Sequence, residues 1–233
     1  VFAAFDGRRK LVSWGSAERG ELGLGSGREE YLLWKPEVEH PIIDLTATDG
    51  KPSISKVSHS VGHVLALMSN GTLWGWGRND FNQLCPKVQP MLPAPVLLSE
   101  LDDLLLMDVA AGGSHTILLA KSSSKYGSNY VLTFGDGSEG RLGHNRTKGE
   151  ILPKDVQYLE NEGVVGIAAG EDTSFAWTAS NKCFAWGSGV LNQLGHITET
   201  RKLTPKPIEP LNHKRIVFMA VQVSHAIVVT DVS

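Results

Sequence analysis

Cysteine is nearly absent from this chain: Cys85 and Cys183 are the only two among 233 residues. Two thiols make no disulfide framework, and such sparing use suits a reducing, intracellular compartment, cytoplasmic or nuclear. Long apolar runs are missing as well. The longest, such as Ile216 to Ala220, fall far short of the roughly 20 apolar residues of a membrane-spanning helix, so no membrane partner is expected. No basic tract occurs: 22 Lys and Arg stand against 25 Asp and Glu, a formal net charge of −3. Binding nucleic acid through its phosphates needs a positive stripe, and direct nucleic-acid binding is therefore not expected. The chain opens at Val1 with neither a methionine nor a signal peptide, so it reads as a piece of something longer. There is no phosphate-cradling glycine loop ahead of a helix, no zinc-ligand spacing and no Ser-His-Asp set. No metal, no cofactor and no catalytic residue is expected.

What the chain has in quantity is glycine, 25 residues, which implies many tight turns. Those glycines are periodic. "LVSWGSAERGELGLG" (11–25), "LWGWGRNDFNQLC" (73–85), "VLTFGDGSEGRLGHN" (131–145) and "FAWGSGVLNQLG" (184–195) are four copies of one phrase. In each, a glycine precedes a leucine by seven residues: Gly15 and Leu22, Gly77 and Leu84, Gly135 and Leu142, Gly187 and Leu194. A second phrase alternates with the first, in "VSHSVGHVLALMSNG" (57–71), "VAAGGSHTILLA" (109–120), "IAAGEDTSFAWT" (167–178) and "MAVQVSHAIVVT" (219–230). The underlying period is 52 residues, with about ten added after the first copy (42–56) and six inside the third (120–131). Four copies at a fixed period make this a repeat protein.

Each unit reads as strand, tight turn, strand, with alternating apolar and polar residues in "HVLALMS" and "SFAWTAS" and an Asn-Gly turn at Asn70-Gly71. A further β-prone run follows each proline cluster, in "PVLLSEL" and "PIEPL". Three or four strands per unit and no helical periodicity predict an all-β fold, a β-propeller with one blade per repeat. About four blades' worth is present in a single domain, 1–233. Residues 1–56 would end one blade and form a long crossover, 57–108, 109–166 and 167–218 would be full repeats, and 219–233 would start another. An arc of four leaves strand edges uncovered, so a larger ring is expected rather than four units closing on themselves.

With these phrases in hand, the chain resembles the regulator of chromosome condensation repeat family. The hallmark there is a Val-Ala-x-Gly-x-x-His-Thr strand, a hairpin, a Trp-Gly step and a Gly-Gln-Leu-Gly turn. "VAAGGSHT" and "WGSGVLNQLG" match it closely. Departures are Ser60 and Gln222 in place of glycine, Thr173 in place of histidine and Cys85 in place of glycine. The resemblance implies a seven-bladed ring. It also implies one specific activity, because the founding member is a guanine nucleotide exchange factor for a small GTPase, working through a propeller face and a protruding hairpin.

The repeating residues are read as structural. His63, His115 and His225 share a column, but equivalent positions of successive blades are rotated apart and cannot converge on one ion. A hydrogen bond inside each blade is the expected role, and Thr173 is able to serve there. The glycines of the Trp-Gly steps belong where positive φ or a close approach is required. The residues that break the pattern are the candidates for partner contact. In an up-and-down meander both insertions fall on one face, offering Asp49, Lys51, Lys121, Lys125 and Tyr126. Arg78 and Phe81 are candidates on the opposite face, and Trp34 on the rim. The function expected is a protein-binding scaffold inside a larger protein or complex, with exchange on a small GTPase as the alternative.

Overall fold

The computed structural model describes residues 2–5, 11–15, 18–25, 42–43, 53–86, 89–101, 103–121, 128–196 and 200–231. Among the described residues, seventeen strands form five antiparallel sheets, each a meander of consecutive strands. The first sheet holds β1 (Phe2–Phe5), β2 (Leu11–Trp14) and β3 (Ile42–Ile43). Three four-stranded blades follow. Blade I is β4 (Ile54–His59), β5 (His63–Met68), β6 (Leu73–Arg78) and β7 (Met91–Leu97). Blade II is β8 (Leu106–Ala111), β9 (His115–Ala120), β10 (Tyr130–Gly135) and β11 (Glu150–Asp155). Blade III is β12 (Val164–Ala169), β13 (Thr173–Thr178), β14 (Cys183–Ser188) and β15 (Arg201–Pro207). The last sheet is the pair β16 (Ile216–Val221) and β17 (Ala226–Thr230). First strands of successive blades touch one another, which puts them innermost and the fourth strands at the rim. This is a β-propeller, and its ring is open.

The second strand of each blade departs from the alternating pattern read in the sequence. His63–Met68 is buried at all six positions, and so is His115–Ala120. Side chains on the two faces of a strand enter two different cores. Leu65 and Leu67 pack toward blade II while Val64, Ala66 and Met68 pack with Leu11 and Trp76 on the other side. Leu118 and Ala120 join the first of these cores, and Ile117 and Leu119 join the next with Trp186. The hydrophobic core is therefore a series of layers between neighbouring sheets, and a strand covered on both faces has no polar side to show.

The fourth strand also differs from its expected place. It runs through the prolines instead of following them, and "SEL" and "EPL" form short 3₁₀ turns of the crossovers. Pro95, Pro153 and Pro205 occupy one column, set by the pairing of Trp74 with Leu97, Leu132 with Asp155 and Phe184 with Pro207. A rim strand has no further neighbour to receive its N–H, so proline is tolerated there. The hairpin at Asn70-Gly71 is likewise not a two-residue turn. Met68 O accepts from Gly71 N at 2.9 Å and Met68 N donates to Thr72 O at 2.9 Å, with Gly71 at φ 88°. Asn181, at φ 61°, fills the same bulge position in blade III.

The glycine of the Trp-Gly step has a direct steric cause. Gly77, Gly135 and Gly187 have φ of 95°, 103° and 100°. Over each lies the carbonyl that precedes the second strand, on its way to the next amide. Ser114 O accepts from Asp136 N at 2.9 Å, and a Cβ on Gly135 would stand 2.6 Å from that same oxygen. Gly135→Ala is expected to cost about 2–4 kcal/mol, combining a left-handed backbone with a backbone clash. Urea unfolding monitored by fluorescence checks this, and a loss below about 0.5 kcal/mol would contradict the steric account.

Candidate interaction surface

The up-and-down path sorts the loops of every blade onto two faces. One face carries the crossovers and the hairpins between second and third strands. There the hairpin 69–72 lies beside 104–107 and Lys121 around an open hollow. Both roots of the second insertion are on this face: Lys121 N donates to Leu105 O at 2.8 Å, and Asn129 Nδ2 to Val164 O at 3.0 Å. Lys121 is exposed. Lys125 and Tyr126 of the same loop lie outside the described residues, as do Asp49, Lys51 and Trp34.

The opposite face is built from the Gly-to-Leu phrase, which folds into two successive tight turns. Asn82 N and Cys85 N donate to Asn79 O and Asn82 O, each at 3.0 Å, and the corresponding amides of blade III repeat the pattern. Residues 20, 82, 140 and 192 all have positive φ, as do 23, 85, 143 and 195; Cys85, at φ 64°, holds a place where the other three copies have glycine. The residue before the leucine closes the turn with its side chain. Glu21, Gln83 and Gln193 each accept from the backbone N–H two residues earlier, at 2.8, 3.0 and 2.8 Å. Arg141 has no acceptor to offer. Its guanidinium reaches Asp136 at 3.3 Å and Asp172 of blade III at 2.9 Å, and Asp136 takes over the turn by accepting from Ser138 N at 3.0 Å. The leucines themselves are sealed in the core.

This turn leaves two tip residues free to vary: Glu18-Arg19, Asp80-Phe81, Ser138-Glu139 and Val190-Leu191. All of these are exposed except Glu139, which is half-buried. Phe81 is 41% exposed, with the Arg78 guanidinium 5.2 Å from its ring centroid and paired to Asp80 at 2.6 Å. Such stacking pre-orders an aromatic anchor. Leu191 is 56% exposed beside Val190, and Val61 and Val223, in the first turns of blade I and of the β16–β17 pair, are exposed on the same face. Sequence reading singled out Arg78 and Phe81 but missed these four. For Val190 and Leu191 the usable signal was that an apolar pair occupies turn columns whose other copies are mostly charged.

Between the faces runs a buried polar belt. His63 Nε2 lies 3.0 Å from Thr116 Oγ1, which donates to Gln83 O at 2.7 Å. His115 Nε2 lies 2.9 Å from Ser174 Oγ, which donates to Arg141 O at 2.7 Å. Because each hydroxyl gives its proton to a carbonyl, each imidazole is the Nε2–H donor. These bonds join one blade to the next, and the bond inside each blade expected from sequence is not what forms. Trp76 and Trp186 add Nε1–H bonds of 2.9 Å to Glu21 O and Arg141 O of the preceding sheet. His225 is exposed. Among the described residues, no group of three His, Cys, Asp or Glu is arranged to hold a metal ion.

Known proteins share the repeat and the fold. Models of the Regulator of chromosome condensation (RCC1) repeat match residues 54–83, 70–119, 128–177 and 180–229. The chain belongs to the RCC1 repeat family. Human E3 ubiquitin-protein ligase HERC2 is 29% identical over 225 residues, which are 95% of this chain and 4% of HERC2. Human WBSCR16 is similar in structure with a TM-score of 0.77 at 19% identity, over 99% of this chain and 55% of its own. Prp20p from Saccharomyces cerevisiae has a TM-score of 0.73 at 18% identity, over 95% and 51%. The chain thus spans a small fraction of the curated relative and about half of each solved structure. At those identities the structural likeness bears on fold alone. In RCC1-repeat terms, the histidine column is a joint between blades, and the Gln-Leu phrase is the closure of a loop whose tip is free.

The joints make the fold acid-sensitive. Burial, with the charge of Arg78 adding to it, pushes the His63 imidazole down to about 3, and burial beside Arg141 and His63 holds His115 well below the ordinary range. The unfolded chain takes up these protons near pH 6.5 and the fold refuses them. Stability is therefore full above about pH 6.5 and falls as pH drops toward 3, each histidine contributing a slope of about 1.4 kcal/mol per pH unit. His63→Gln, which keeps a donor but cannot titrate, is expected to reduce the slope between pH 4 and 6 by about that amount. Urea titrations at several pH values measure it, and an unchanged slope would overturn the assignment.

Proposed function

We propose that this RCC1-repeat chain is an interaction scaffold, the propeller portion of a larger protein, and that it presents its turn face to a protein partner. The observation that carries the reading is the set of apolar tips on one face: Val61, Phe81, Val190, Leu191 and Val223. Each stands on a turn fixed by backbone hydrogen bonds, so displaying it to a partner costs little ordering entropy. Aromatic and aliphatic anchors held on a rigid frame, with Arg78 beside one of them, have the composition of an interface centre. The coverage of HERC2, almost all of this chain but a small part of that ligase, supports the reading of a module. The exposed Lys121, at the root of the insertion on the other face, is a secondary contact point in the same proposal.

Nucleotide exchange on a small GTPase is the second reading. It draws on the likeness to Prp20p, a protein described with binding properties to Gsp1p and histones. Exchange of this kind needs no acid–base residue. It requires a face that grips the GTPase better without nucleotide than with it.

Phe81→Ser combined with Leu191→Ser is the test. Both side chains are exposed, so the unfolding free energy is expected to stay within about 0.5 kcal/mol of the parent. Capture of the partner by the immobilised protein, read by mass spectrometry, is expected to fall at least about tenfold, the typical loss on truncating central anchors. Retained capture would move the interface to the Lys121 face. If the captured partner is a GTPase, release of labelled GDP on adding the chain decides the second reading.

A further inference from the structure

The outer strand of blade II differs from its counterparts in blades I and III. In all three the fourth strand bulges, setting three residues against one of the third strand. Pro93 to Pro95 lie against Trp76, Ile151 to Pro153 against Phe134, and Leu203 to Pro205 against Trp186. A bulge of this kind re-aims the side chains it carries. In blades I and III its first residue is covered by the turn loop of the preceding sheet. Gly25 N donates to Pro93 O and Asn145 N to Leu203 O, each at 2.9 Å. Gly20 and Gly140 permit that approach, because a Cβ would stand 2.8 Å from Pro93 Cα and 2.9 Å from Leu203 Cα. The loop of blade I has Asn82 in that place, and its side chain forbids so close a contact. Ile151 is left 58% exposed and Leu152 53%, whereas Thr204, in the column of Leu152, is buried.

The charges around this aliphatic pair are mostly positive. Arg146 and Lys148 precede it and Lys154 follows it, while Arg201 belongs to β15, the strand to which Asn145 ties the segment. Glu150 is shared by Arg146 and Lys154, and Glu139 pairs with Arg201 at 2.9 Å. Lys148 is exposed and has no ion pair among the described residues. Four cations thus share two carboxylates in a chain whose net charge is −3. Asp155 lies at the far end of the strand, opposite Leu132. We propose that the rim of blade II is a second docking site, separate from the turn face, for an acidic segment of a partner protein that carries aliphatic or aromatic side chains. Ile151 and Leu152 receive its apolar groups, and Lys148, Arg146 and Lys154 its carboxylates. Covering the apolar pair excludes water from the ring of charges, which strengthens each new ion pair. A phosphate backbone fits less well, because it has nothing to lay on an aliphatic pair and cations already half-neutralised make a poor phosphate track. Attachment is through side chains, since Pro153 interrupts the free edge of the strand.

Random peptides displayed on phage test this, selected on the immobilised full chain and depleted on the same chain carrying Ile151→Ser and Leu152→Ser. Enriched peptides are expected to combine Asp or Glu with Leu, Ile, Val or Phe. By fluorescence polarisation, the two serine substitutions are expected to weaken their binding at least about tenfold, the typical loss on truncating central anchors. Lys148→Glu and added salt are each expected to weaken it about threefold or more. Phe81→Ser with Leu191→Ser is expected to leave it unchanged, so this site and the turn face stand or fall separately. No enrichment, enriched peptides without acidic residues, or binding indifferent to Lys148→Glu would each overturn the proposal. So would a parent chain that sediments as a dimer split by the serine pair, which would put a second copy on the rim. Binding of double-stranded DNA that is lost with Lys148→Glu but kept with the serine pair would overturn it in favour of a phosphate surface. Should the serine variant fail to fold, Lys148→Glu, at an exposed position, replaces it in the depletion and decides alone.

Discussion

Everything in this molecule follows from sheets that are apolar on both faces. A strand such as His115–Ala120, buried at every position, cannot exist in a single blade in water, because one of its faces would always be wet. It can exist only between two neighbours. The repeat supplies them at regular intervals, and the sheets of this chain form an arc instead of independent hairpins.

The polar residues are placed to make that apolar stacking specific. The attraction between layers of Leu, Ile and Val is non-directional and sets their register only through the fit of their shapes. A histidine ring aimed at a hydroxyl, itself aimed at a carbonyl in the preceding loop, permits a single alignment. Because the same loop ends in the Gln-Leu turn, fixing the blade also fixes the loop. Rigidity of the displayed face and alignment of the core are then one property.

Much of this was legible in the chain. The 52-residue period, the strand order and the propeller followed from two alternating phrases, because the glycine and leucine columns answer local demands that each copy must meet by itself. What escaped the sequence depends on neighbours. "HVLALMS" was read as alternating because its composition does not say that both faces are covered. The prolines were read as boundaries, because nothing in "MLPAPVL" reveals that the strand it forms has no outer partner. The histidine bonds were assigned within a blade, because the hydroxyl that receives them sits one repeat later. Exposed tips such as Val190-Leu191 were passed over for a similar reason: in isolation an apolar pair reads as core, and only the turn around it turns it outward.

The proline column at the rim has a consequence for how such proteins are assembled over evolutionary time. Tandem duplication of a β-meander is hazardous, since each new copy adds an unpaired edge onto which other chains can build indefinitely. Pro95, Pro153 and Pro205 recur in the three complete blades, so each of these units carries its outward edge already interrupted. Copies can be gained without gaining a template for fibres. Growth is left open in one direction only, around the axis, where an added blade finds an apolar face waiting for it.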